Sequence, residues 1–465
     1  MLESLLPEIT LLIADYLPHP AVAVASLVCR SWRSRTIAIL FRSVSLTSDS
    51  HITRFSHTIG NRADSPFSIS QHIRSLAISS LRYDSITESG LASLVSCTSH
   101  LVQLRELRWE LSFVPNNVKV LELFQAQCHQ LELVALLVPK KLESGGTLGE
   151  YLCPMLKSPK FDNLVEFQLR MQYTPLYFDT DTSDPLNKML ANCPKLQSLR
   201  IHIVDCTGHI TLFHINHLIA SFDAELTLPF LRKLHILGDI GMTRESLMPS
   251  ETGSPNFRGF LARYTHIEEL CLDCVFLYDP PSDNPEHLAG ALPSLKRFCG
   301  PDFICNILVR SSLAKQLECL SIQPVEVGPG KAFTPGGEYA ILPLPKLKEL
   351  DVRNLDCEDV FIILPMLLPV APELETLAIE SMYADEYATF LELFQYTPKL
   401  RQMSAFNLAL KFDRSDPLHV TSRWVTKRGI EPLFEQMKEM CPQLVFTKPW
   451  VGSMMLDREN AKMMH

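Results

Sequence analysis

The sequence predicts an α/β fold in two parts, a short helical unit followed by a long array of parallel strands with helices between them. Three observations carry this. The first forty-odd residues space their apolar side chains for helices. From residue 73 onward one short apolar phrase keeps returning. And 465 residues exceed a single ordinary domain unless the remainder grows by stacking repeats.

The helical unit comes first. Pro7 suits the first position of a helix, where its missing N–H costs nothing. Ile9, Leu12, Ile13 and Tyr16 follow at i, i+3, i+4 and i+7, one apolar face. Pro18 and Pro20 end that helix, and residues 21–28 and 31–40 read as further short helices. So small a unit buries too little surface to stand alone and leans on a partner or on the rest of the chain.

This segment resembles the F-box. Leu5-Leu6-Pro7-Glu8-Ile9, then Tyr16-Leu17, then Leu27-Val28-Cys29-Arg30-Ser31-Trp32-Arg33 are that family's words in order and spacing, over residues 5–46. The sequence departs from the pattern at Ala21-Val22-Ala23-Val24, where the family usually carries an acidic residue and a leucine. F-box proteins are the interchangeable substrate receptors of Skp–cullin–F-box ubiquitin ligases. The resemblance implies that Leu6, Pro7, Ile9, Ile13, Leu17, Val28 and Trp32 form or support the surface gripping a Skp-type adaptor, and through it a cullin-RING ligase. Read from the residues alone, the segment is a helical cap with a leucine-rich face.

The repeated phrase is an apolar residue, two variable ones, an apolar, a variable and an apolar. It occurs as Ile73/Leu76/Ile78, Leu104/Leu107/Trp109, Leu164/Phe167/Leu169, Leu196/Leu199/Ile201 and Leu231/Leu234/Ile236. It returns as Ile267/Leu270/Leu272, Leu317/Leu320/Ile322, Leu347/Leu350/Val352 and Leu374/Leu377/Ile379, with degenerate copies at Leu131, Leu295, Leu400 and Leu444. A proline often stands two residues upstream, as at Pro194, Pro229, Pro293, Pro345, Pro372, Pro398 and Pro442. The phrase resembles the leucine-rich repeat, which implies one short strand per turn of a solenoid. Period-two alternation then points the apolar positions inward and the variable ones outward along a parallel sheet. Residues 184–191, 257–264 and 388–396 have the apolar spacing of short helices that pack behind it.

The period wanders, from 35 residues between Leu196 and Leu231 to 22 between Leu295 and Leu317. The asparagine or cysteine expected after the strand is missing, and Cys206 and Cys357 come two residues late. Irregular repeats behind an F-box are common in fungal F-box proteins, which the whole chain resembles. The expected organisation is an F-box at 1–48, a connecting segment at 49–72, the solenoid at 73–450 with strands on the concave and helices on the convex face, and a polar Met-rich tail at 451–465. A non-solenoid α/β domain is the competing architecture.

Composition narrows the function. Apolar residues make up 46% and charged residues 20%, which suits a folded chain. The net charge of −9 argues against generic nucleic-acid or anionic-membrane binding. The apolar run at 360–370 is broken by Pro365 and Pro369 and is too short to span a bilayer. The acidic residues Glu3, Glu8 and Asp15 rule the start out as a signal peptide. Thirteen cysteines without a small-domain framework, and no Asn-x-Ser/Thr acceptor, read as reduced thiols in the cytoplasm or nucleus.

Sites for chemistry are sparse. Cys271-Leu272-Asp273-Cys274 has C-x-x-C spacing but no second ligand pair, and it falls inside a repeat strand. His209, His214 and His217 form a loose cluster without an obvious fourth ligand; they are the one support for an unrecognised enzymatic site. Gly328-Pro329-Gly330-Lys331 and Gly336-Gly337 lack the order of a phosphate loop. No catalytic residue, metal or cofactor is therefore expected.

The outward strand positions are the candidate substrate surface. Arg108, Arg170, Arg200, His202, Lys233 and His235 make a basic stripe that gives way to Glu269, Asp273, Glu349, Asp351 and Glu380, with Arg353 among them. Arginine forks hold acidic or phosphorylated segments well; solvated strand charges are the plainer account. The expected function is a substrate receptor that raises the effective concentration of a protein substrate beside a ubiquitin-conjugating enzyme. An adaptor-bound scaffold that delivers nothing to ubiquitin is the alternative.

Overall fold

The computed structural model describes residues 9, 12–14, 16–61, 68–80, 86–113, 115, 119–138, 163–172, 180–204, 213–222, 226–247, 256–273, 275–276, 284–324, 333, 339–379, 381–383, 387–403, 407–409 and 435–446. They divide into two units, 1–213 with 220–231, and 214–219 with 232–465.

The first unit opens with α1 (His19–Ser26) and α2 (Arg30–Leu40). Pro18 stands at the cap of α1 and Pro20 in its first turn. The two prolines therefore start this helix as well as ending what precedes it, because a fixed φ near −65° fits a helix entry and no donor is lost there. At the start of α2 the Trp32 N–H donates to Cys29 Sγ at 3.4 Å. His19 Nε2 donates to the Leu40 carbonyl at 3.0 Å, tying the first residue of α1 to the last of α2.

A parallel ladder follows: β1 (Ser43–Leu46), β2 (Ser75–Ser79), β3 (Glu106–Glu110), β4 (Leu133–Val138), β5 (Glu166–Met171) and β6 (Ser198–Ile203), each paired with the next. The register aligns Val44, Leu76, Leu107, Val134, Phe167 and Leu199 in one row, and Leu46, Ile78, Trp109, Leu136, Leu169 and Ile201 in another. From Leu46 onward these side chains are buried. Parallel neighbours need crossover connections, supplied by α3 (Asp49–Asn61), α4 (Glu88–Leu94), α5 (Lys119–Gln127) and α6 (Thr180–Ala191) among others.

The sheet thus starts at Ser43 and not at residue 73. Residues 43–46 carry alternation without the repeated phrase, and α3 buries Ile52, Phe55 and Ile59 like any repeat helix. Ser43–Leu46 and α3 thus form a repeat ahead of the first copy of the phrase.

The second unit repeats the construction. The strands of its main sheet are β7 (Lys233–Gly238), β8 (Glu269–Leu272), β9 (Arg297–Pro301), β10 (Cys319–Gln323), β11 (Glu349–Asp351), β12 (Thr376–Ala378), β13 (Gln402–Met403) and β14 (Val445–Phe446), again each parallel to the next. Leu234, Leu270, Phe298, Leu320, Leu350, Leu377 and Met403 form its buried row. Gly238, at φ 94°, turns the chain out of β7 where an L side chain would be strained. The connections include α7 (Phe257–Arg263), α8 (Glu286–Ala291), α9 (Asp302–Val309), α10 (Cys357–Leu367) and α11 (Tyr387–Leu393). Among the described residues no helix is long and apolar enough to cross a membrane.

One backbone device recurs in both units. The carbonyl one residue before most strands accepts two consecutive N–H groups from the next repeat, as Arg42 O does from Arg74 and Ser75 and Glu268 O from Lys296 and Arg297. One strand per repeat, a shared register and this repeated junction make the fold an irregular solenoid, in which each repeat is stabilised by its neighbours.

Candidate interaction surface

The helical hairpin carries far more exposed apolar surface than its size warrants. Of the fifteen large apolar side chains exposed among the described residues, eight lie between residues 9 and 28: Ile9, Leu12, Ile13, Tyr16, Leu17, Val24, Leu27 and Val28. Tyr16 is 84% exposed, Leu27 72% and Val28 69%, while Ile13 and Leu17 are near 40%. Val22 and Ser26 point the other way and are buried, so α1 splits into a packed and a bare side. So many bare apolar side chains on one short segment point to an interaction surface.

The sequence-predicted adaptor residues fall on this surface only in part. Ile9, Ile13, Leu17 and Val28 are exposed in it. Trp32 is half-buried in α2, where its carbonyl accepts the Thr36 hydroxyl at 2.8 Å. Leu6 and Pro7 lie outside the described residues. Leu12, Tyr16, Val24 and Leu27 join them; the sequence places Leu12 and Tyr16 on the apolar face but assigns none of the four to the adaptor surface. Counting apolar residues on the solvent side of α1 finds Val24, but the exposure of Leu27 follows from the turn between the helices, which periodicity does not report.

The outward strand positions behave differently from a basic stripe. Arg108 and Arg200 share one outward row with Ala135 and Gln168, and Arg170 pairs in register with His202 in the next. All four are half-buried, and the Nε of Arg170 is buried with no hydrogen-bond partner among the described residues. Lys233 and His235 are engaged instead with Glu269: Lys233 Nζ lies 3.4 Å from Oε2 and His235 Nε2 2.8 Å from Oε1. Arg297 completes the group at 3.9 Å and then reaches Glu349 at 2.9 Å. The stripe does not segregate into a basic and an acidic half in the second unit, because opposite charges on neighbouring strands neutralise each other. Arg353 is likewise buried on Asp351, with Nη2 2.6 Å from Oδ2. Glu380 lies outside the described residues.

Burial alone pushes the Glu269 carboxyl up. The hydrogen bond and charge of His235, with Lys233 and Arg297 beside it, outweigh that and hold it below its ordinary value. Arg297 is held above its ordinary value: burial opposes this, and Cys319, Glu349 and Glu269 together prevail.

A second charge column was missed in the sequence. The residue just before each strand alternates in sign through the second unit: Arg232, Glu268, Lys296, Glu318, Lys348, Glu375, Arg401. Neighbours pair, Arg232 with Glu268 at 2.9 Å and Lys296 with Glu268 at 3.1 Å, with Lys348 and Arg401 each 4.0 Å from Glu375. The signal was present at the position after the first apolar residue of each phrase. These pairs are exposed, worth about 0–1 kcal/mol each.

Outward positions of the second unit are also less open than alternation implies. Leu237, Cys271, Cys299 and Cys319 form a buried cluster there. Cys271 is a packed side chain and Cys274 lies outside the described residues, as do His209 and the two glycine pairs. Among the described residues no group of His, Cys, Asp and Glu could hold a metal ion.

No protein-family model matches the chain, and no curated protein matches it. Solved structures align at low similarity. A chain of the Rad7 and Elc1 complex in yeast is 14% identical over 80% of this chain and 88% of its own, with a TM-score of 0.37. The leucine-rich repeat-containing protein LegL7 from Legionella pneumophila is 13% identical, covering 61% and 90%, with a TM-score of 0.33. A Bacteroides fragilis protein is 13% identical, covering 68% and 73%, with a TM-score of 0.37.

Proposed function

We propose that this chain is the substrate-recognition subunit of a Skp–cullin–F-box ubiquitin ligase. In this reading the hairpin docks on a Skp-type adaptor, the solenoid holds a protein substrate, and the assembled ligase brings a ubiquitin-conjugating enzyme to the substrate's lysines. The observation that carries it is the bare apolar patch from Ile9 to Val28, on the segment whose words resemble the F-box. The chain supplies proximity, not chemistry: no side chain of its own acts on the substrate, no cofactor is needed, and the protein works in the cytoplasm or nucleus. The adaptor-binding module is residues 1–48, although its last strand also begins the sheet. For the substrate, the candidates are Arg108, Arg170, Arg200, His202, Lys233 and His235, the last two of which also engage Glu269.

The test is binding of a purified Skp-type adaptor to the full chain and to a Leu17→Asp, Val28→Asp variant. Binding that is at least tenfold weaker in the variant, with an unchanged thermal transition, supports the reading. Failure of the parent chain to bind the adaptor removes it.

A further inference from the structure

A pocket of about 860 Å³ opens between α2, β1 and α3, within the first unit. That lies inside the range of small-molecule sites, roughly 300–1,000 Å³. Its walls are apolar: Ile37 from α2 and Phe41 just after it, Val44 and Leu46 from β1, Phe55 from α3, and Ile69 beyond it. Four cationic or titratable-basic side chains line the same space, Arg30 and Arg33 from α2 and His51 and Arg54 from α3. Among the described residues no carboxylate lines it. Among the described residues none of the three arginines has an ion-pair partner. The acid nearest in sequence, Asp49, is committed elsewhere, accepting the Thr87 N–H at 2.9 Å and the Thr87 hydroxyl at 2.7 Å.

The start of α2 gives an independent reason to expect an anion. A helix N-terminus carries about half a positive charge, which acidic side chains ordinarily complement. Here the first turn holds no acid, and Arg30 occupies its first position with Arg33 three residues on. Two exposed, permanently charged cations thus stand at the positive pole of an eleven-residue helix, lining an apolar cavity that Arg54 also lines. Unpaired, this arrangement repels itself, and a single anionic group placed among the guanidinium groups relieves it.

We propose that this pocket binds an amphipathic organic anion, a carboxylate or phosphate head on an apolar body of fatty-acyl size. The head sits among Arg30, Arg33 and Arg54, and the body lies against Phe41, Leu46 and Phe55. The proposal does not rest on adaptor docking, because none of the exposed side chains from Ile9 to Val28 lines the pocket.

The experiment titrates the full chain with cis-parinarate, a long-chain carboxylate whose fluorescence rises in apolar surroundings. Saturable one-to-one binding is expected, at least tenfold weaker in Arg33→Gln, Arg54→Gln and retained in Arg33→Lys. Ser45→Phe, at an exposed lining position, should block it sterically. Dodecyl phosphate should displace the probe, and parinarate methyl ester should bind at least tenfold more weakly. Circular dichroism melts confirm that each variant is folded. Four outcomes overturn the proposal: no saturable binding, equal affinity for the methyl ester, affinity unchanged in the folded glutamine and phenylalanine variants, or binding to phosphatidate vesicles without binding to monomeric parinarate or dodecyl phosphate.

Discussion

His235 on β7 reaches diagonally to Glu269 on β8, with Nε2 2.8 Å from Oε1 and both side chains no more than 6% exposed. Lys233 and Arg297 flank the same carboxylate, so three basic groups converge on one acid. Removing the acid leaves the buried His235 without its partner and takes the shared anion from Lys233 and Arg297. Breaking a buried pair from one side costs about 3–5 kcal/mol. Glu269→Gln retains an acceptor, and its expected cost is therefore smaller, about 2 kcal/mol, read as a lowered urea midpoint at neutral pH.

The same carboxylate makes an acid-sensitive contribution. Its folded-state pKa lies below the ordinary 4.5. Glu269 therefore stabilises the fold fully above that ordinary value, and the contribution is lost as pH falls through the depressed folded value. Urea midpoints of the parent chain should drop below pH 4.5, and those of Glu269→Gln should drop less. Parallel pH curves for the two proteins would contradict the assignment.

Two variants in the hairpin should separate docking from folding. Val28 is 69% exposed, so Val28→Asp should leave stability within about 0.5 kcal/mol, as surface substitutions do. Trp32 is half-buried between its hydrogen-bonded helix turns, and Trp32→Ala should lower stability by about 2–3 kcal/mol. Thermal melts of the isolated chain check both without any partner present. Equal destabilisation by the two changes would mean that the turn between α1 and α2 is not bare in solution.

The repeat array was legible because burial follows a period of two, and every copy of the phrase from Ile73 to Leu444 precedes a described strand. β1 was hidden for the complementary reason: Ser43-Val44-Ser45-Leu46 has the alternation without the leading apolar residue. The outward positions were placed on the right face, yet their openness was misjudged. Alternation reports direction and not cover, so the burial of Cys271, Cys299 and Cys319 could not be read from it. Pairing was equally invisible, because Glu269 meets Lys233 and His235 across 36 and 34 residues of sequence.

Gly300 is a position where the array has no room. A Cβ there would stand 2.8 Å from the Phe298 ring and 3.0 Å from the Leu272 carbonyl. Phe298 occupies the space that a side chain at 300 would take in the buried row, and the carbonyl belongs to the neighbouring strand, which cannot move alone. Gly300→Ala should destabilise by about 1–3 kcal/mol through overpacking, measured by urea denaturation. A change below about 0.5 kcal/mol would show that Phe298 can swing clear.

Cys128 offers a chemical check on the first unit's core. It follows α5 and donates its N–H to the Phe124 carbonyl at 2.8 Å, with the side chain 1% exposed. Burial, with a lesser push from Cys97, raises its thiol from 9.0 to about 12. Only the thiolate attacks an alkylating reagent, so the shift alone leaves about a thousandfold less reactive form at pH 8 than an ordinary thiol has. Cys29, half-buried at the cap of α2, has no such cover. Iodoacetamide labelling read by peptide mass spectrometry should therefore modify Cys29 early and Cys128 only on the timescale of unfolding. In moderate urea the Cys128 rate should rise in step with the unfolded fraction. Labelling of Cys128 at a rate within tenfold of Cys29 in native buffer would place α5 and its neighbours in an opening equilibrium that this packing does not allow.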